Sequence, residues 1–159
     1  MPSKVRGGKK LNKFIQDGKR AARRSKTTDV GFFASARYPN VKTGQGGGAK
    51  QTPHTVATVA AWNEFGNKRV PERPFFRNAI HEMKEEIPKI LKSRLDAKDP
   101  VVTEQTAALL GAYATGEIQK SITDLKQPPN ADSTIKRKGS ENPLMDTGFM
   151  RQSVTWREE

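Results

Sequence analysis

The feature that most constrains the fold is the segment formed by residues 59–76, VAAWNEFGNKRVPERPFF. Its apolar residues up to Phe65 have the spacing of the last turns of a helix. Gly66 is expected to end that helix at a positive φ, because glycine adopts the left-handed cap conformation at little cost. Pro71 and Pro74 then keep their preceding residues out of the helical region. The segment therefore predicts a helix, a polar turn and a stiff extended arm.

The predicted arm ends in two aromatic residues, Phe75 and Phe76. It could be a projection that adheres to a neighbouring subunit, or an ordinary loop whose phenylalanines fill the core of their own domain. We expect one ring in the core and the other at a subunit boundary, where burial contributes about 1.5–3 kcal/mol. Glu64, Phe65 and Arg73 of the same segment are assigned to the same predicted interface.

Positive charge is concentrated at the amino-terminal end. The chain has a formal net charge of +12, and residues 1–28 hold ten Lys and Arg against a single acid, Asp17. Leu11, Phe14 and Ile15 recur at helical spacing on one face, which predicts an amphipathic helix over residues 10–26. Its other face carries the basic residues Lys13, Lys19, Arg20, Arg23 and Arg24.

This predicted helix could simply dock on its own domain with a solvated polar face. We instead expect the apolar stripe to contact another protein, and the basic residues to contact an acidic surface of that protein. DNA is the second choice for the charges, since a phosphate backbone attracts cations but offers no apolar cover.

Two long helices are predicted in the middle of the chain, over residues 77–95 and 100–123. Asp99 is expected to be the N-cap of the second one. Gly111 and Gly116 each lower helix propensity by about 1 kcal/mol. We therefore expect these glycines, or the alanines beside them, at an antiparallel contact between the two helices.

Short alternating segments at residues 29–36 and 153–157 predict strands that pair into a small antiparallel sheet. With the two long helices covering it, the sheet gives an α+β fold. The predicted organisation is a basic amino-terminal arm over residues 1–28 and a single domain over residues 29–159. Residues 38–53 predict a glycine-rich loop.

No residue pattern predicts catalysis, a metal site or a cofactor site. The chain has no cysteine, and neither His54 nor His81 has the nearby second ligand that a zinc helix needs. The acidic residues Glu82, Glu85 and Glu86 are interpreted as a solvated helix face. No run of about 18 apolar residues is present, so no membrane span is expected.

Two blocks of sequence resemble a known family. The first, within residues 60–79, reads A-A-x-x-E-F-G followed by P-x-R-P-F-F-R-x-A. The second, residues 143–154, reads P-L-x-D-T-G-x-M-R-x-S-V. In this order they resemble the tail-completion or neck proteins of long-tailed bacteriophages, which are virion morphogenesis proteins. The resemblance covers residues 30–156.

The resemblance implies a structural protein of the phage head–tail connector, not an enzyme. It would be a tail-completion or tail-terminator protein, and a head-closure protein is a third alternative. It would form a homo-oligomeric ring of roughly six or twelve subunits around the DNA channel and contact neighbouring neck and tail proteins. It would be made in the host cytoplasm and end in the virion. The alternative is a small basic protein that binds nucleic acid without sequence preference.

Overall fold

The structure is a computed structural model that describes residues 8–38 and 54–159. Within these residues the fold is α+β, with six helices and one two-stranded antiparallel sheet, which confirms the predicted class. In chain order the elements are α1 (Gly8–Arg24), β1 (Thr28–Gly31), α2 (Val56–Phe65), α3 (Phe75–Arg94), α4 (Glu104–Asp124), α5 (Asp132–Lys138), α6 (Phe149–Gln152) and β2 (Thr155–Glu158). Most of the predicted glycine-rich loop, residues 39–53, lies outside the described residues.

The two longest helices, α3 and α4, pack against each other in antiparallel directions. Ser121, near the end of α4, donates a hydrogen bond of 2.7 Å from its hydroxyl to the carbonyl of Phe75, at the start of α3. The core between and beside these helices consists of Val56, Ala60, Phe75, Ala79, Met83, Ala114, Ile118, Ile122, Leu144, Met150 and Val154. Both long helices were predicted from the apolar pattern, close to their observed bounds.

The sheet pairs the two predicted strands antiparallel, with Val30 opposite Trp156. The ring of Trp156 lies against the backbone of Gly111 in α4. A β-carbon at Gly116 would have no atom within 4 Å. The predicted role of both glycines at the α3–α4 contact is therefore wrong, because Gly111 makes room for a strand residue and Gly116 is exposed. Of the neighbouring small residues, Ala114 does face the core.

The start of α4 also differs from the prediction. Thr103, not Asp99, is the N-cap, and its hydroxyl accepts a 3.3 Å hydrogen bond from the amide of Thr106. The carboxylate of Asp99 instead forms an ion pair of 3.1 Å with Arg24 at the end of α1. The predicted cap fails because the helix begins five residues after Asp99, at Glu104.

The carboxyl-terminal end of α1 is attached beside the start of α4. The amide of Lys26 donates to the carbonyl of Val102 at 2.9 Å, and the amide of Val102 donates to the hydroxyl of Ser25 at 3.0 Å. Ala21, one turn earlier, is buried. Residues 10–20 are all exposed. The helix is thus fixed at one end, whereas its first turns stand free of the described residues.

Candidate functional site

The extended arm begins where α2 ends. Thr55 is the N-cap of α2, and its hydroxyl accepts a 3.2 Å hydrogen bond from the amide of Thr58; Gly66, with φ 69°, is the C-cap. The prediction of a positive φ at Gly66 is confirmed. A β-carbon there would lie 2.9 Å from the amide nitrogen of Glu72. The arm therefore folds back over the end of α2 and does not project from the domain.

Arg73 fastens this arm to a distant part of the chain. Its side chain is only 3% exposed. Its Nε donates to the carbonyl of Pro128 at 2.9 Å, and its Nη2 donates to the carbonyl of Pro129 and the Oδ1 of Asn130, both at 3.1 Å. Its Nη1 donates to the Oδ1 of Asn63 in α2 at 3.1 Å. Burial lowers the pKa of the guanidinium from its ordinary value, yet an arginine remains charged in a protein. We call this set of contacts the Arg73 latch.

Glu64 holds the start of α3. Its carboxylate accepts hydrogen bonds from the amides of Phe76 at 2.8 Å and Arg77 at 3.2 Å, and from Nε of Arg77 at 2.8 Å. The first amides of a helix lack partners within the helix and favour negative charge. The hydrogen bonds that the Arg77 guanidinium donates to the carboxylate of Glu64, and secondly to that of Glu72, raise the pKa of the guanidinium. That guanidinium also lies 5.5 Å from the ring centre of Phe65.

The interface predicted for this segment needs correction at three positions. Glu64 is 5% exposed, Arg73 is 3% exposed and Phe75 is 1% exposed, so all three have partners inside their own domain. Charged residues in a proline-rich loop usually face solvent, but here their partners are groups up to 57 residues away. Phe75 fills the core, as predicted for one of the two rings, and Phe76 is only half-buried. Contact between Phe76 and a neighbouring subunit stays a prediction.

An open apolar groove lies beside the arm. It has a volume of about 460 Å³ and is lined by Val30, Gly31, Phe32, Ala57, Ala60, Ala61, Glu64, Phe65, Phe75, Phe76, Arg77 and Ile80. Phe65 at the edge of the groove is 69% exposed, and Ile80 is 43% exposed. Contiguous apolar side chains of this kind mark interaction sites on soluble proteins. We call this region the Phe65 surface.

The sequence-based interface left out Ile80 and Arg77. Ile80 follows Phe76 by four residues, which places both side chains on one face of α3. That spacing is the signal that identifies Ile80. Nothing in the sequence pattern alone pairs Arg77 with Glu64.

The predicted amphipathic helix is present as α1. Its stripe of Leu11, Phe14 and Ile15 has no cover in the described part of the chain, and Phe14 is 76% exposed. We call these three residues the α1 stripe. The basic residues Lys13, Lys19, Arg20 and Arg23 are exposed as well. Arg24 is paired with Asp99. Contact of the α1 stripe with another protein stays a prediction, as does contact of the basic residues with an acidic surface or with DNA.

The second motif block joins the same core as the first. Leu144, Met150 and Val154 are buried in one cluster with Phe75. Gly148, with φ 77°, precedes α6 as its N-cap. The two blocks are therefore parts of one packed unit, and the Arg73 latch holds the first block to residues 128–130, before the second block.

The described residues do not assemble a metal site. In residues 8–38 and 54–159, no group of three or more His, Asp and Glu side chains is placed to hold a metal ion. His54 instead packs edge-on against Trp62, with ring centres 4.6 Å apart. None of the helices seen in these residues is long and apolar enough to cross a membrane.

No family model, curated protein or solved structure matches this chain. Its function is therefore inferred from its own residues and contacts.

Proposed function

We propose that this chain is a structural component of a bacteriophage head–tail connector, a tail-completion or tail-terminator protein that forms a ring joining tail to head around the DNA channel. The observation that carries the proposal is the Arg73 latch. Arg73 of the first motif block binds the backbone of Pro128 and Pro129, in the connection that leads to the second block. The first block is thereby held to the connection before the second block, and both blocks contribute side chains to one buried core.

Two apolar regions that the described residues leave exposed support assembly into a ring. A ring needs a heterologous contact, in which one patch of a subunit meets a different patch of the next. The α1 stripe and the Phe65 surface are two such patches on different elements. Their exposed aromatic side chains, Phe14 and Phe65, are of the kind that anchors protein interfaces.

Inactivation of the reading frame in the encoding phage genome tests the proposal. We expect separate heads and tails to accumulate, and joined infectious particles to return when the wild-type chain is supplied in trans. Purified particles should contain the chain at a copy number that fits a ring. Normal yields of joined particles without the chain, or particles that lack it, would contradict the proposal.

The alternative is a basic protein that binds nucleic acid on its own, and the exposed basic face of α1 favours it. Lys13, Lys19, Arg20 and Arg23 are exposed and, within the described residues, form no ion pair. Four such contacts to phosphates predict a slope of roughly −3 to −4 for the logarithm of affinity against the logarithm of salt concentration. Tight binding of a monomer to unrelated duplexes with this slope, together with absence from particles, would favour the alternative.

A further inference from the structure

The α1 stripe needs a partner, and the way α1 is attached limits where its own domain could provide one. The helix is fixed beside Val102, just before α4. Phe14 precedes Ser25 by 11 residues, which is about 16 Å at the rise of an α-helix. The stripe therefore stays close to the start of α4 in its own subunit, where none of residues 8–38 and 54–159 covers Phe14.

A second feature, at the other end of α4, carries the opposite charge. A cleft of about 290 Å³ between α3 and α4 is lined by Asn78, Ala79, Glu82, Glu117, Lys120, Ser121, Asp124 and Leu125. Within the described residues, Glu82, Glu117 and Asp124 form no ion pair. Leu125, which is half-buried, gives the cleft apolar surface. We call it the acidic cleft.

We propose that the α1 stripe of one subunit docks in the acidic cleft of a second copy of this chain. The acidic cleft is chosen as the docking site because its charge is complementary to that of α1. Helix α1 carries seven Lys and Arg against one acid, and the acidic cleft carries three carboxylates against the one ammonium group of Lys120. Complementary charges fix the choice of partner and the register, whereas the buried apolar side chains supply the anchor.

The helical arrangement places suitable cations beside the stripe. At 100° per residue, Lys10 and Lys19 lie about 90° to either side of the centre of the face that holds Leu11, Phe14 and Ile15. In the docked helix these two cations meet the carboxylates on the rim of the cleft. Lys13 and Arg20 lie on the opposite face and stay free for a third component.

The positions of the two surfaces make the contact intermolecular. Ser121, at the centre of the cleft, follows Thr103 by 18 residues, or about 27 Å along α4. The 16 Å between Ser25 and Phe14 is too short to bring Phe14 to its own cleft. Stripe and cleft therefore join different copies head to tail, as a closed ring requires. The inference thus rests on the proposed ring and names its interface.

Cysteine cross-linking tests the docking directly, because the chain contains no cysteine. One protein carries Asn12→Cys on α1, at the edge of the stripe, and an affinity tag; the other carries Asn78→Cys in the acidic cleft. The control pairs Asn12→Cys with Ala61→Cys on the Phe65 surface. All three replaced residues are exposed and uncharged. The mixed pairs are oxidised in concentrated solution and the tagged heterodimer is quantified.

We expect the Asn12–Asn78 pair to form more disulfide-linked heterodimer than the control by roughly tenfold or more, because docking raises the effective concentration of the thiols. Charge reversal at Lys10→Glu and Lys19→Glu should abolish the excess, and Glu82→Lys with Glu117→Lys in the partner should restore it. A larger yield with Ala61→Cys would place the stripe on the Phe65 surface and overturn the proposal. Equal low yields from both pairs would overturn it as well.

This outcome is separable from the proposed function. If the cross-link fails while the chain is present at the head–tail joint of particles, the ring exists and another interface closes it. If the cross-link forms while the chain is absent from particles, the chain self-associates through this interface but is not a neck protein.

Discussion

Trp156 of β2 packs its indole ring directly on the backbone of Gly111 in α4. A β-carbon at Gly111 would lie 2.7 Å from Cδ2 of this ring, closer than real contacts allow. This contact holds β2 against the middle of α4, at a position where only glycine fits.

The first prediction is that Gly111→Ala destabilises the domain by about 1–3 kcal/mol, because the indole ring must move or strain the sheet. Gly116→Ala is the matched control in the same helix. Nothing lies within 4 Å of its β-carbon, so alanine should stabilise the domain by up to about 1 kcal/mol. Thermal melts of both variants measure the difference. Equal shifts for the two variants would contradict the observed contact.

The second prediction concerns Glu64. Glu64→Gln places an amide group against the amides at the start of α3 and against Arg77, so at least one buried hydrogen bond is lost. We expect a loss of about 1.5–3 kcal/mol, typical of hydrogen bonds to a charged group. Denaturant unfolding measures it. The control is Glu72→Gln, whose exposed ion pair with Arg77 should contribute only about 0–1 kcal/mol.

The third prediction concerns the Arg73 latch. Arg73→Lys keeps the charge but cannot reach the two proline carbonyls, Asn63 and Asn130 together, because an ammonium lacks the planar fork of a guanidinium. We expect a loss of about 1.5–3 kcal/mol in unfolding free energy. Arg69→Lys, at an exposed position in the preceding turn, should have no measurable effect. A stable Arg73→Lys protein would mean that the latch contributes little.

The fourth prediction separates folding from assembly. Phe14 is exposed, so Phe14→Asp should leave the melting temperature unchanged while it abolishes assembly into particles. The reversal of Arg20, Arg23 and Arg24 to Glu should weaken binding to either an acidic protein or DNA. Particles that assemble normally with Phe14→Asp but lose DNA retention with the charge reversal would assign α1 to DNA.

The sequence predicted those parts of the fold that depend on local chemistry. Gly66 ends α2 because of its own backbone freedom. The pairing of the first and last strands followed from their short alternating patterns. The helix end depends on neighbouring residues alone, and each strand was predicted from its own local pattern although the pairing joins distant residues.

The wrong predictions involve contacts between distant residues. A small residue such as Gly111 signals close approach, but the pattern does not say whether a helix or a strand residue approaches. Arg73 looked exposed between two prolines, since its partners are carbonyl groups 55 and 56 residues away. Proline carbonyls are acceptors whose own residues lack an N–H group. The neighbouring prolines Pro128 and Pro129 are therefore the sequence signal that could have suggested a buried side-chain donor such as Arg73.

The most direct measurement of the central claim is a cryo-electron microscopy map of the neck of intact particles. The account predicts a closed ring of this chain at the head–tail joint, with density for α1 of each subunit reaching the next subunit. A map in which other proteins fill the whole joint, with no density that fits the α3–α4 pair and the β1–β2 sheet, would contradict it.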